Sequence, residues 1–186
     1  MAFRSWAARC VAVVAVVLGT AASALAHPVV LKGIRAVDQH GQALRAPRLA
    51  GHPVLLHFVF TGCSTSCPTQ LAELADVHRA LPAAVRSKLR FVSVTVDPLT
   101  DTPKALADHA RRFGADQDGW IFLTGKPGDL APLYERMGVF DPGKPAALPE
   151  DHRTSLYLYG ADGRLLQRFR GVPVDRARLI AELARL

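Results

Sequence analysis

Two cysteines and one histidine are the side chains of this sequence whose types and spacing best suit chemistry. Cys63 and Cys67 stand four residues apart, a C-x-x-x-C spacing, and His152 follows much later. On a regular helix, residues four apart hold their Cβ atoms ~5–6 Å apart, wider than the ~3.5–4.5 Å of a relaxed disulfide. Two thiolates can stand up to about 4.6 Å apart across an ion at the bond length seen for zinc. The spacing therefore favours a metal bridge over a sulfur–sulfur bond.

Pro68 leaves a disulfide open as an alternative. A proline restricts the preceding residue to extended geometry and is itself best placed in a first helical turn, so Cys63 can lie in a loop at a free distance from Cys67. The pair could then serve a thiol–disulfide oxidoreductase, in which Cys63 attacks and Cys67 resolves. A peroxidase that reacts through Cys67 is a weaker hypothesis. An inert structural bridge is disfavoured because such bridges usually close longer loops.

The sequence around these residues alternates between strand and helix patterns. Apolar and β-branched runs predict strands at residues 54–60, 89–96 and 120–123. Apolar residues at helical spacing predict helices at 68–80, 103–113, 128–137 and 174–185. A hairpin of residues 155–159 and 165–170 around a GADG turn precedes the last helix.

This order of elements predicts a thioredoxin-like α/β domain, with a central mixed sheet flanked by helices. Residues 32–37 and the turn at 38–41 predict an extra N-terminal hairpin. The cysteine pair falls between the first core strand and the first helix. This is the carboxyl edge of a parallel strand, where α/β sheets bind ligands, and the positive end of a helix, which lowers the pKa of a thiol.

The N-terminus has the pattern of a secretory signal. Arg4 and Arg9 precede an apolar run that includes the third cysteine, Cys10, and small residues follow up to Ala26. We expect cleavage after Ala26, with residues 1–26 as signal peptide and 27–186 as one exported, periplasmic domain. An uncleaved anchor in the inner membrane is disfavoured, because the 17 residues between Arg9 and His27 fall short of the ~20 that span a bilayer.

Export leaves one cysteine pair, and a site with two thiolates suits Cu(I), which prefers soft sulfur ligands. His152 is the histidine with a topological reason to join them. It ends an irregular loop and precedes the hairpin, and in a thioredoxin-like topology that loop passes over the cysteine turn. Asp151 is the candidate partner of its ring. The other mature histidines are predicted to be structural. His57 and His78 should lie in the core, and turn or surface positions are predicted for His40, His52 and His109.

The composition fits one folded domain after the signal. The chain has 186 residues, 49% of them hydrophobic and 21% charged, which excludes a disordered tail protein and a chain made mainly of membrane spans. The formal net charge is +7, but the arginines near the C-terminus alternate with carboxylates. That pattern indicates a solvated mixed surface and no nucleic-acid partner. Asp97 and Asp101, which flank a strand end beside the cysteine turn, are best explained by turn formation and capping.

Four segments together resemble the SCO/SenC family. They are FVFTGCSTSCP at 58–68, VTVDPLTDTP at 94–103, FLTG at 122–125, and the Asp151-His152 pair five residues before Tyr157. The resemblance covers roughly residues 30–185 and implies a thioredoxin-like fold that binds one copper ion through Cys63, Cys67 and His152. The family usually has proline directly after its first cysteine. Ser64 stands there in this chain, which should loosen the turn while leaving all three ligands in place.

The resemblance also implies a task, which is to help assemble the binuclear copper centre of cytochrome c oxidase by delivering copper or by reducing the recipient cysteines. The implied partners are a copper-accepting oxidase subunit and another copper chaperone or a thiol reductant, with the protein membrane-proximal at most. We therefore expect a copper metallochaperone, and a thiol–disulfide oxidoreductase using Cys63 and Cys67 is the alternative.

Overall fold

The fold is organised around one six-stranded mixed sheet. The computed structural model describes residues 28–64, 66–144 and 148–186, apart from the side chains of Val29, Ser66 and Cys67. The strands are β1 (Val37–Asp38), β2 (Val54–Val59), β3 (Arg90–Thr95), β4 (Trp120–Thr124), β5 (Leu156–Tyr159) and β6 (Leu165–Phe169). Their order across the sheet is β1-β4-β3-β2-β5-β6. Strands β2, β3 and β4 are parallel, and β1, β5 and β6 join antiparallel. The predicted mixed sheet is confirmed.

In the part of the chain that the structure describes, five helices flank this sheet: α1 (Ser66–Ala80), α2 (Ala83–Arg86), α3 (Pro103–Arg112), α4 (Pro127–Met137) and α5 (Arg176–Leu183). Short 3-10 turns occur at Val29–Leu31, Ala46–Arg48 and Pro149–Asp151. Thr102 is the N-cap of α3, because its hydroxyl accepts a hydrogen bond from the Ala105 amide at 3.2 Å. Gly138 ends α4 in the left-handed conformation that glycine adopts most easily.

Two hydrophobic clusters cover the two faces of the sheet. One contains the apolar sides of α1, α3 and α5, and the other contains α4 and the first 3-10 turn. Every residue of β2 is buried, because this strand lies between β3 and β5 with helices on both sides. The residues that follow the carboxyl end of this fully buried strand form the cysteine turn.

The N-terminal hairpin is smaller than predicted. Residues 32–36 do not form a strand, and β1 comprises two residues, of which Val37 pairs with Thr124 of β4 and bridges to Ala43. The reason is a turn before β1, in which the Ile34 amide donates to the Leu31 carbonyl at 3.3 Å and Gly33 has a positive φ of 78°. The segment thus adds a short edge strand beside β4.

The ends of the chain differ in what the structure shows. The predicted signal peptide, residues 1–26, lies outside the described residues. Within the ranges that are described, no helix is long and apolar enough to cross a membrane. The last helix is shorter than predicted, since it begins at Arg176 with Asp175 as its N-cap and ends at Leu183.

Candidate metal centre

The two cysteines occupy different kinds of backbone. Cys63 lies in the turn after β2, where its amide donates to the Phe60 carbonyl at 3.4 Å, and its half-buried side chain packs against the hydrophobic cluster that contains α4. Cys67 is the second residue of α1. Because Cys63 precedes the helix, regular helical spacing does not fix the distance between the two cysteines, and the spacing argument for a metal does not apply. The choice between copper and a disulfide depends on other residues.

Asp101 fixes the first half of the cysteine turn, a role beyond the turn formation and capping that were predicted for it. Its carboxylate is wholly buried and accepts hydrogen bonds from the Thr61 amide at 3.2 Å and the Thr61 hydroxyl at 2.5 Å. It also accepts from the Thr95 hydroxyl at 2.5 Å. Thr61 stands two residues before Cys63, so Asp101 ties the start of the turn to the end of β3. Asp97, in contrast, forms the turn predicted for it, since its carbonyl accepts from the amides of Thr100 and Asp101.

The strand pairing brings His152 to the same end of the sheet as the cysteine turn. Strands β2 and β5 are antiparallel, with Val54 opposite Tyr159 and Leu56 opposite Tyr157. Continued in that register, the pairing would set residue 152 opposite residue 61. The loop that leads to His152 is closed at its base, because the Arg153 amide donates to the Val139 carbonyl at 2.8 Å. The topology therefore brings His152 to the end of the sheet where the cysteine turn lies.

The His152 ring has the protonation pattern of a metal ligand. Its Nδ1 lies 2.6 Å from the Pro149 carbonyl oxygen, and since a carbonyl only accepts, Nδ1 must carry the proton. Its Nε2 is buried and makes no hydrogen bond within the part of the chain that the structure describes. Burial lowers the pKa of His152, and the hydrogen bond to the Pro149 carbonyl is the largest effect that opposes it. A neutral imidazole with an unused lone pair on Nε2 is the state that metal binding requires.

Phe60 connects the histidine with the cysteine turn. Its ring meets the His152 ring edge to face, with 5.7 Å between ring centroids, and its carbonyl receives the Cys63 amide. Among the described side chains, no group of three or more His, Cys, Asp or Glu could by itself hold a metal. The Cys67 side chain lies outside that set, so the three-ligand site of Cys63, Cys67 and His152 stays a prediction.

The predicted partner of the His152 ring is wrong. Asp151 forms a salt bridge with the Lys144 ammonium at 2.7 Å and accepts from the Leu148 amide, so the Pro149 carbonyl takes its place beside Nδ1. The 3-10 turn at Pro149–Asp151 explains this difference, since it folds the chain back so that a backbone oxygen, three residues before the histidine, reaches the ring.

The other histidines have structural settings. His57 is wholly buried in β2 with its Nε2 2.7 Å from the Ser93 hydroxyl, and burial lowers its pKa to about 4. His78 is also buried, and its Nδ1 contacts the Gln117 side-chain oxygen at 2.5 Å. The prediction of a turn or surface position is wrong for His109, which is only 6% exposed on the inner side of α3.

The chain is similar to known proteins in both sequence and fold. Residues 28–186 match the family model described as SCO1/SenC. A Stutzerimonas stutzeri protein named for copper binding is 37% identical over 134 residues, which make up 69% of this chain and 63% of that relative. The match thus spans less than two thirds of that relative's own length.

Two solved structures share both fold and sequence with the chain. Bradyrhizobium japonicum ScoI with copper bound is 29% identical with a TM-score of 0.68, and the match covers 82% of this chain and 96% of that one. BsSco, described as a member of the Sco family of cytochrome c oxidase assembly proteins with a disulfide switch, is also 29% identical. Its TM-score is 0.67, over 81% of this chain and 89% of that one.

Proposed function

The chain belongs to the SCO1/SenC family, and on this premise we propose that it is an exported copper-binding protein that delivers copper during assembly of cytochrome c oxidase. The observation that carries the proposal is the state of His152. Its ring is buried and held by the Pro149 carbonyl, and its Nε2 has no hydrogen-bond partner among the described residues. A buried polar atom without a partner is costly unless a ligand satisfies it. A copper ion bound to this nitrogen is the ligand we propose.

Cys63, Cys67 and His152 are the proposed ligands. Two thiolates and one neutral imidazole form a donor set suited to copper, since soft sulfur selects Cu(I) and imidazole binds copper in both oxidation states. A sequence relative named for copper binding and the copper-bound ScoI structure support this choice of metal. Because both thiols must lose their protons before they bind, uptake should weaken as the pH falls.

Release to a partner fits the position of the cysteines. Cys63 lies in an irregular turn at the edge of the sheet and is half-buried, so a second protein can approach its sulfur. His152 is more enclosed, at 7% exposure. We therefore propose that an incoming thiolate of the recipient displaces Cys63 first, and that His152 keeps its hydrogen bond to Pro149 throughout the exchange. The recipient we propose is a copper-accepting oxidase subunit.

A thiol–disulfide oxidoreductase is the second candidate, and the position of Cys67 favours it. Cys67 stands in the first turn of α1, where the helix dipole stabilises a thiolate and lowers the pKa of a thiol. The disulfide switch described for BsSco points in the same direction. In this role Cys63 would attack a partner disulfide, and Cys67 would release the partner by forming the intramolecular disulfide, so that the partner gains the two electrons that the pair loses.

One titration separates the two candidates. The reduced protein, purified without oxygen, is titrated with Cu(I) in competition with a chelator. We expect one copper per chain for the parent and for His40→Ala, a control because His40 is exposed on a turn. We expect His152→Ala to bind copper more weakly while both thiols still react with a thiol reagent. Equal copper retention by His152→Ala would contradict the three-ligand site, and a stoichiometry near zero for the parent would favour the oxidoreductase.

A further inference from the structure

A single buried amide joins the two halves of the proposed site. Gln70 lies three residues after Cys67 on α1 and is 1% exposed. Its side-chain nitrogen donates one hydrogen bond to the Thr154 carbonyl at 2.6 Å and another to the Gly171 carbonyl at 2.9 Å. Thr154 stands two residues after His152. The side chain thus links the helix turn that begins with Cys67 to the segment that carries His152.

The backbone around this amide is packed too closely for another side chain. A Cβ atom on Gly171 would lie 1.3 Å from the Thr154 carbonyl oxygen and 2.2 Å from the Gln70 side-chain nitrogen. Three chain segments therefore meet at Gln70: α1, the entry to β5 and the exit from β6. A primary amide carries two N–H bonds on one nitrogen, so this single uncharged group can donate to both carbonyls.

We propose that Gln70 is a positioning residue, which sets the separation between Cys67 and His152 by holding the Thr154 carbonyl against α1. The inference rests on the proposed function, because it concerns the same copper site. Metal–ligand distances tolerate errors of only about 0.2 Å, and buried hydrogen bonds to the segments that carry the ligands are what keep such sites in register. Without the amide, two buried carbonyls lose their donor and the His152 segment can move away from α1.

Other contacts already dock α1, and Gln70 also hydrogen-bonds the buried His57 side chain, so its effect on the His152 segment lies in its bond to Thr154. On the same helix, one turn further on, the Glu73 carboxylate accepts a hydrogen bond from the Val174 amide at 2.9 Å. Leu71 and Leu74 pack into the cluster that also contains Leu179 of α5. Glu73 therefore ties α1 to the segment after β6 without touching the segment that carries His152, and Glu73→Met is the matched control for Gln70→Met.

The test is a double-mutant cycle on copper affinity. Parent, Gln70→Met, His152→Ala and the double variant are titrated with Cu(I) against a chelator, and methionine is chosen because it keeps the length of glutamine and has no donor. We expect Gln70→Met to weaken copper binding by roughly 10–100-fold, the usual effect of removing a group that orients a metal ligand. In the His152→Ala background the same change should alter affinity by less than about twofold. Glu73→Met should lower the melting temperature while copper affinity stays within about twofold of the parent.

The outcomes distinguish this inference from the proposed function. A parent that binds no copper contradicts the proposed function itself. A parent that binds copper together with an unchanged Gln70→Met overturns the role of Gln70, and so does an equal loss with and without His152, which indicates general loosening of the fold. If Gln70→Met does not fold, Gln70→Asn replaces it, because this shorter amide keeps its donors but cannot reach both carbonyls. A copper affinity for Gln70→Asn equal to the parent's would overturn the inference, and a loss that depends on His152 would support it.

Discussion

The hydrogen bonds of Asp101 give the sharpest prediction for the cysteine turn. In Asp101→Ala, the wholly buried Thr95 hydroxyl loses its acceptor, and so do the amide and hydroxyl of Thr61. The two Thr61 donors lie two residues before Cys63, on the side of the turn that no helix holds. We therefore expect the substitution to destabilise the fold and to loosen the turn around Cys63.

The magnitude follows from the partners that are lost. A hydrogen bond to a charged group contributes about 1.5–3 kcal/mol, and a buried donor left without a partner costs about 1–3 kcal/mol. Thr95 is fully enclosed, whereas Thr61 is half-buried, so water can replace part of its loss. We expect the free energy of unfolding to fall by about 3–5 kcal/mol. Thr95→Val removes one of these bonds and also the acceptor of the Asp97 amide, so it should cost about 2–3 kcal/mol.

Two measurements check this expectation. Urea denaturation at pH 7 gives the change in the free energy of unfolding, and the rate of alkylation of the reduced protein reports access to Cys63, which should rise. Thr102→Ala is the control, because it removes the N-cap of α3 next to Asp101 without touching Thr61. It should cost about 1 kcal/mol and leave the alkylation rate unchanged. A loss below about 1 kcal/mol for Asp101→Ala, with no change in alkylation, would refute the reasoning.

Two further predictions concern acid. Burial lowers the pKa of His57 from 6.5 to about 4, so the unfolded chain binds a proton that the folded chain does not between these values. The free energy of unfolding should therefore be unaffected by His57 above pH 6.5 and should fall by about 3 kcal/mol as the pH falls to 4. Denaturant titrations over this range should show a shallower decline for His57→Gln. An equally steep decline in that variant would contradict the assignment. Burial raises the pKa of Asp38, but hydrogen bonds from Arg48 and from the amides of Gln42 and His40 outweigh it and hold the pKa below 3.8. Asp38→Asn should therefore be less stable than the parent by about 2 kcal/mol at pH 7, and the difference should shrink as the pH falls below 3.8; a difference that persists at pH 2 would show that charge is not its origin.

The sequence predicts the sheet well because the strong local signals agree with tertiary packing. The run at 54–60 is apolar at nearly every position, and in the structure β2 is buried on both faces. The segment at 32–37 shows the opposite case. A strand is predicted there, but Gly33 adopts a positive φ of 78° and the Ile34 amide bonds to the Leu31 carbonyl. This local turn replaces strand pairing in the residues before Val37.

The residues that position the site were harder to predict than the proposed ligands. Cysteine and histidine are recognisable by type and spacing, whereas Asp101 and Gln70 are ordinary polar residues on a loop and a helix. Their roles depend on partners 40 and 84 residues away along the chain, Thr61 and Thr154. One signal was present for Asp101, because an aspartate follows a buried strand at the same sheet edge as the cysteine turn. For Gln70, a polar residue one position before the apolar stripe of α1 carries no comparable signal.

The substitution of serine for the family's usual proline after the first cysteine has a structural counterpart. A proline would fix one backbone dihedral inside the turn, and Ser64, which is exposed, cannot. The turn is held from outside instead: Asp101 binds Thr61 on one side of it, and α1 begins at Ser66 on the other. The backbone freedom that serine adds is therefore at Ser64, in the short segment between Thr61 and the start of α1. Cys63 lies inside this short segment, whereas Cys67 and His152 belong to segments that Gln70 connects. Of the three proposed ligands, Cys63 is thus the one outside helix α1 and the enclosed His152 segment, and its half-buried position in the turn is the reason we propose that an incoming thiolate displaces it first.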